Sequence, residues 1–279
     1  MLAFLPMSER YDLEAAARYW GQERLKHRDE LAAVLSLSEP REVNLAYHEW
    51  ESTLVVETLG GVKGRKVVDI ACGVGRLTVP LAKAGARVLA LDNAPGMLAR
   101  CARHARLSRV EDRVSYALGP AWTIPVADRS LDGAVCVGLL EHLPPAQQVR
   151  VLAEVARVLK RGASLATVFN NPHSVLLRAP GDNRFRKGHQ FPNGYYCALV
   201  DRRRLFGRLS KHFREEPVGT NLAYSVLRHL FRNVAAKPSD AALRRRAFRL
   251  AAELDLRFRT KGPLDELLTD HTFFRAVRR

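Results

Sequence analysis

No run in the 279-residue sequence approaches the roughly 18 to 20 consecutive apolar residues that a membrane-spanning helix needs, so no segment is expected to cross a bilayer. Cysteine is scarce. Cys72, Cys101, Cys136 and Cys197 stand some thirty to sixty positions apart with no paired spacing, which excludes a zinc knuckle or a disulfide framework built from local sequence and reads as reduced thiols. The histidines are scattered as well, with no pair at the offsets that bring two ligands onto one helix face, and no metal is expected. Met1 to Pro6 is too short for a secretory signal and has no basic leader, so a cytoplasmic location is expected. What remains is 47% apolar and 27% charged, the composition of a globular protein.

Acidic residues thin out towards the end of the chain. Residues 1–177 hold 22 Lys+Arg against 19 Asp+Glu, whereas residues 178–279 hold 23 against 10, so most of the net +16 charge belongs to the last third. A local positive field attracts RNA, anionic lipid or a phosphorylated metabolite. The count alone does not choose among them, because 36 of the 45 basic residues are Arg, which a GC-rich genome supplies without any ligand.

Helical spacing marks residues 8–60, through Tyr11, Leu13, Ala16, Ala17 and Trp20 and then Val43 to Val55. From Lys66 the period changes. Val67–Ile70 reads as a buried strand, Gly73-Val74-Gly75 as a turn and Arg76–Ala84 as a helix; Arg87–Leu91 is a second strand ending at Asp92, followed by a helix through Met97 and Cys101. Strands are expected again at Val114–Ala117, Leu131–Val137 and Leu165–Phe169, with a helix over Gln147–Leu159. This alternation predicts a doubly wound α/β core around a mostly parallel sheet. Beyond it lie a loop rich in Gly, Pro, Asn and His, a helix over Arg202–His212, a strand at Pro217–Thr220, two basic helices within 222–260 and a last strand at Thr272–Val277. Three regions follow: a helical segment over 1–60 capping the site, a cofactor-binding core over 61–169, and a substrate side over 170–279.

A glycine turn between a buried strand and a helix lets a ligand approach the backbone and meets it with unpaired N–H groups. Asp69-Ile-Ala-Cys-Gly-Val-Gly75 supplies such a turn, without the third glycine of the dinucleotide fingerprint. Asp92, seventeen residues past Gly75, can accept from both hydroxyls of a ribose or cap the helix that starts near Pro95.

Four ordered segments carry a family resemblance: Val67 to Gly75, Val88 to Leu98, Leu131 to Leu143 and Ala156 to Gly162. Together they resemble the S-adenosylmethionine-dependent methyltransferases of the Rossmann-like class I, nearest to the small-molecule and quinone-biosynthesis branch. The resemblance covers roughly residues 45–170. It implies a seven-stranded, mostly parallel sheet with N-terminal helices and a helical C-terminal insertion before the last strand, and S-adenosylmethionine as the cofactor. It further implies that Asp69, Gly73 and Gly75 hold the methionine portion, Asp92 the ribose, and that Met97 packs near the adenine, with Ala71 and Asn93 also among the cofactor-binding residues. Ala71 stands where the family usually has glycine. Pro120 stands where it often has Asp, which leaves adenine recognition to Ala121 and Trp122.

Glu141 and His142 follow the fourth strand, where the acceptor side of such a fold begins. His142 is the first choice for a general base; His142 and Glu141 can equally brace the loop before Pro144-Pro145, and His173 and His189 are further choices. Asn170-Asn-Pro-His173 is a poor match to the signature of amino-group methyltransferases, which ends the fourth strand. Arg178, Arg184, Arg186 and Lys187 among Phe185, Phe191, Tyr195 and Tyr196 suit an anionic acceptor or a solvated loop. In 222–234, Leu222, Val226, Leu227, Leu230, Phe231 and Val234 share a broad face, with Arg228, His229 and Arg232 towards the other. That stripe suits core or lid packing, or, with Arg244-Arg245-Arg246, contact with an anionic membrane surface. The function expected is methyl transfer to a small-molecule acceptor, an O- (or N- or C-) nucleophile on an anionic or lipid-like metabolite. An RNA methyltransferase and a non-catalytic cofactor-binding protein are the alternatives.

Overall fold

The computed structural model describes residues 11–37, 39–171, 174–175, 188–233, 240–259 and 267–279. The chain opens with α1 (Leu13–Arg18), a π-helical turn over Tyr19–Glu23, α2 (Glu30–Val34) and α3 (Arg41–Thr58). The core then alternates through β1 (Lys66–Ile70), α4 (Thr78–Lys83), β2 (Arg87–Asp92), α5 (Pro95–Leu107), β3 (Val114–Leu118), β4 (Leu131–Cys136), α6 (Pro145–Val158) and β5 (Leu159–Asn170). It closes with the hairpin strands β6 (His189–Gln190) and β7 (Tyr196–Cys197), then α7 (Arg202–Arg208), β8 (Phe213–Thr220), α8 (Leu222–Asn233), α9 (Ala241–Phe258) and β9 (His271–Arg278).

Seven strands form one sheet in the order β3-β2-β1-β4-β5-β9-β8, with the first five parallel and β9 antiparallel to both neighbours. β1 is central and buried on both faces after its first residue, which its β-branched Val67-Val68 pair suits. Pro at the first position of α5 and α6 presets the helical backbone where no N–H is needed. β8 tolerates Pro217 because it is an edge strand and its register slips at Pro217/Gly219.

Each sheet face has its own core. On one, Val43, Trp50, Leu54 and Val55 of α3 pack with Val67, Val135, Val168 and Phe273, and Tyr224 and Phe248 extend that layer into α8 and α9. The other carries Val151, Leu152 and Val155 of α6 with Leu205 and Phe206 of α7 against Val68, Ala134, Leu165 and Phe274.

The expected alternation stands, with shifted ends. β5 runs back to Leu159 and continues straight from α6, the helix expected to His212 stops at Arg208, and β8 begins at Phe213. Two arginines are not where the helical stripe put them. Arg228 is nearly buried, with Nε 2.9 Å from Glu39 and Nη1 2.9 Å from Asp270. Arg244 is buried against Glu42 at 2.6 Å, whereas Arg245 and Arg246 are exposed. Both leave solvent because α3 and its leading loop bring carboxylates over the helices, an effect that spacing within one helix does not contain. His173, Arg178, Arg184, Phe185, Arg186, Lys187 and Val234 lie outside the described residues. Among the described residues no helix is long and apolar enough to cross a membrane, and no cluster of His, Cys, Asp and Glu is placed to hold a metal ion.

Candidate active site

A cavity of about 1160 Å3 lies over the carboxyl ends of β1, β2, β4 and β5, the edge at which ligands bind in sheets of this type. It exceeds the roughly 300–1000 Å3 of a single-ligand pocket and has room for two ligands side by side. Asp69, Ala71, Gly73, Asp92, Asn93, Met97, Ala121, Trp122, Glu141 and His142 all line it. Gly75 does not. At φ +83°, a Cβ there would stand 2.8 Å from Cys101 Sγ and 3.3 Å from Cys101 Cα, so this glycine lets the turn rest on α5.

The turn itself is tied down by acids. Asp92 Oδ2 accepts from the Gly73 N–H and Oδ1 from the Ala94 N–H, both at 2.9 Å, so one carboxylate ties the glycine turn to the loop that enters α5, whose N-cap residue is Ala94 and which has no side-chain cap of its own. Burial raises its pKa against those backbone donors. Asp69 accepts from the Thr78 hydroxyl at 2.6 Å. Burial pushes its carboxyl up to about 6, against the Thr78 hydrogen bond and the nearby Arg76 and with help from Asp92. Ala71 is held at φ +56°, a left-handed conformation that costs a non-glycine residue roughly 1–2 kcal/mol. Such strain gathers at ligand sites.

On the other side, His142 Nδ1 stands 2.8 Å from the Tyr196 carbonyl. A carbonyl only accepts, so Nδ1 carries the proton and, in the neutral ring, Nε2 keeps its lone pair. The rings of Trp20 and Tyr195 lie 5.0 and 5.3 Å from the imidazole. Burial raises the pKa of Glu141, opposed by His142. His189 is exposed in the β6–β7 hairpin and does not line the cavity.

The wall has further polar groups that the sequence pattern did not pick out. Arg76 pairs with Glu51, both buried, and the Tyr47 hydroxyl donates to Glu51 at 3.0 Å. Arg228 and His271 reach the cavity from α8 and β9, while Tyr19, Trp20 and Arg24 close it from the N-terminal side. In the sequence, only the adjacent aromatics Tyr19 and Trp20, both of which line the cavity, could have drawn notice to that side.

S-adenosylmethionine suits this site on two observations. Gly138, at φ +69°, has nothing within 4 Å of where a Cβ would project, which leaves bare backbone on the cavity wall. Asp69, Asp92 and Glu141 are carboxylates whose ionised forms burial disfavours, and a ligand with a cationic sulfonium and ammonium offsets that.

Residues 67–162 match the sequence model of the methyltransferase domain family. A ubiquinone biosynthesis O-methyltransferase of Alkalilimnicola ehrlichii is 33% identical over 46% of this chain and 51% of its own length. A demethylmenaquinone methyltransferase of Renibacterium salmoninarum is 36% identical over 43% and 47%. Among solved structures, the geranyl diphosphate C-methyltransferase of Streptomyces coelicolor A3(2) superposes with a TM-score of 0.61 at 18% identity, covering 98% of this chain and 100% of its own. The fold is that of the Rossmann-like methyltransferases. The chain spans about half the length of the curated relatives it matches.

Proposed function

We propose, from the match of residues 67–162 to the methyltransferase domain family, that the chain transfers a methyl group from S-adenosylmethionine to a small-molecule acceptor. The observation that carries the reading is the single cavity joining the glycine turn and Asp92 to Glu141 and His142. When bound, the cofactor supplies a methyl carbon made electrophilic by a positive sulfur, which leaves as a thioether.

The chain's own part is positioning and proton transfer. Gly138 brings bare backbone to the methionine end, beside Gly73, whose N–H is held by Asp92; Asp92 has lone pairs left for the ribose hydroxyls, and Met97, Ala121 and Trp122 flank the adenine. The Tyr196 carbonyl orients His142 so that Nε2 can take the proton of an attacking hydroxyl. Holding that hydroxyl in line with the methyl carbon, in a cavity walled by aromatic rings, is the larger contribution. Free thiols at Cys72, Cys101, Cys136 and Cys197 suit the reducing cytoplasm.

An RNA acceptor is the second reading, and the exposed Arg245, Arg246 and Arg249 of α9 favour it. The same helix exposes Leu243, Leu250 and Phe258, the composition of a peripheral membrane contact. The deciding experiment is calorimetry with S-adenosylmethionine, followed by incubation with a methyl-labelled cofactor and separate metabolite and RNA fractions. Binding one to one with label in the metabolite fraction is expected. No binding sinks the reading, and label in RNA with a steep salt dependence replaces it with the second.

A further inference from the structure

A second histidine reaches the cavity from the far end of the chain. β9 runs antiparallel to β5, so its first residue, His271, pairs with Asn170 at the carboxyl edge of the parallel strands. Its neighbours fix its tautomer. The His271 backbone N–H donates to Asn221 Oδ1 at 3.0 Å, and the Ser225 hydroxyl donates to the same atom at 3.0 Å. A backbone amide only donates, so that atom is the amide oxygen and the other is the NH2 group. Asn221 Nδ2 lies 3.2 Å from His271 Nδ1, which therefore accepts, and the ring proton is on Nε2.

The support behind it is buried and connected. Asn221, Ser225 and Asp270 have no exposed surface; Ser225 Oγ accepts from the Asp270 N–H at 2.9 Å, and the Asp270 carboxylate holds Arg228. Burial pushes His271 down to about 4, so the ring is neutral at pH 7. No described residue bonds its Nε2, and His271 lines the cavity. One chamber thus offers an imidazole that accepts at Nε2, His142, and one that donates at Nε2, His271.

Charge narrows what that donor meets. The three described guanidiniums on the wall are already held: Arg24 by the Ala32, Ala33 and Leu35 carbonyls, Arg76 by Glu51, and Arg228 by Glu39 and Asp270. We propose that His271 binds the methyl acceptor, its Nε2–H donating to a carbonyl oxygen of an uncharged compound whose hydroxyl faces His142. This rests on the methyl-transfer reading above.

The test uses three matched probes on the full chain, with and without S-adenosylhomocysteine: para-hydroxyacetophenone, para-ethylphenol, which lacks the carbonyl, and para-hydroxybenzoate, which is charged. The ketone should bind about three- to tenfold more tightly than para-ethylphenol, the worth of one hydrogen bond. In His271→Phe that preference should collapse, and para-hydroxybenzoate should gain nothing in either protein. A preference retained in the variant, no preference in the wild type, no binding of any probe, or tightest binding of para-hydroxybenzoate overturns the proposal. Should His271→Phe fail to fold, the long-range proton–nitrogen NMR spectrum of the wild-type histidines still decides, because a proton on His271 Nδ1 refutes the assignment. Failure of S-adenosylhomocysteine to bind counts against the methyl-transfer reading alone, since the probes are also titrated without it.

Discussion

Cofactor affinity should depend on pH through Asp69. Its carboxyl, raised by burial, titrates near 6 in the free protein, and a cationic ligand beside it favours the ionised form. The ionised fraction falls from about nine-tenths at pH 7 to about one-tenth at pH 5, so the dissociation constant for S-adenosylmethionine should rise by about tenfold over that interval. The direction is opposite for the ligand-free fold. A carboxyl whose pKa is raised by folding contributes stability that is complete below its unfolded value, near 4, and lost as pH climbs through 6. The ligand-free protein should therefore lose stability over the window in which affinity is gained. Calorimetry at five pH values, with parallel urea melts, reads both. Asp69→Asn should bind more weakly at pH 7 and flatten the profile. A constant that is level from pH 5 to 7 in the wild type refutes the reasoning, and an unchanged slope in Asp69→Asn moves the titration to Asp92 or Glu141.

Gly75→Ala should cost about 2 kcal/mol or more of stability, from the left-handed backbone and the contact with Cys101, with cofactor affinity nearly unchanged in the folded fraction; denaturant melts and calorimetry check it. Lost affinity at full stability would return this glycine to the ligand site. Arg244→Gln should destabilise by about 1–3 kcal/mol with little salt dependence, whereas Arg245→Gln and Arg246→Gln should stay within about 0.5 kcal/mol. Equal effects from all three in urea melts would contradict the buried pairing. Once an acceptor is known, His142→Ala should lower kcat by about a hundredfold without changing cofactor affinity. Full turnover across pH would leave His142 a brace for the loop.

The cofactor half was legible because its signals are local. Strand, glycine turn, helix and a second strand ending in Asp92 follow within thirty residues, and period and turn chemistry mark each one. Even there, the close approach of Gly75 to Cys101 is a contact that no spacing reveals. The acceptor half was hidden for another reason. Arg228 sits on the polar side of its own helix by pattern, yet its partner Glu39 is 189 positions away. His271 looks like any residue at the start of a strand until Asn221 sets its tautomer. The β6–β7 hairpin, which supplies the carbonyl that orients His142, has strands of two residues and too little length to show a period.

The ties between α3 and the C-terminal insertion bear on how the protein is made. Arg228 to Glu39, Arg244 to Glu42 and Arg259 to Glu57 each join residues about two hundred positions apart. Contacts of that separation form late, because the intervening chain must be ordered first. On the ribosome, β1 to β5 can pair while α3 still waits for its covering helices, with Trp50 and Leu54 open to other chains until residues 222–259 emerge. Synthesis therefore passes through a stage in which the glycine turn is complete while the part of the chamber wall that carries Tyr224, Arg228 and His271 has yet to be made.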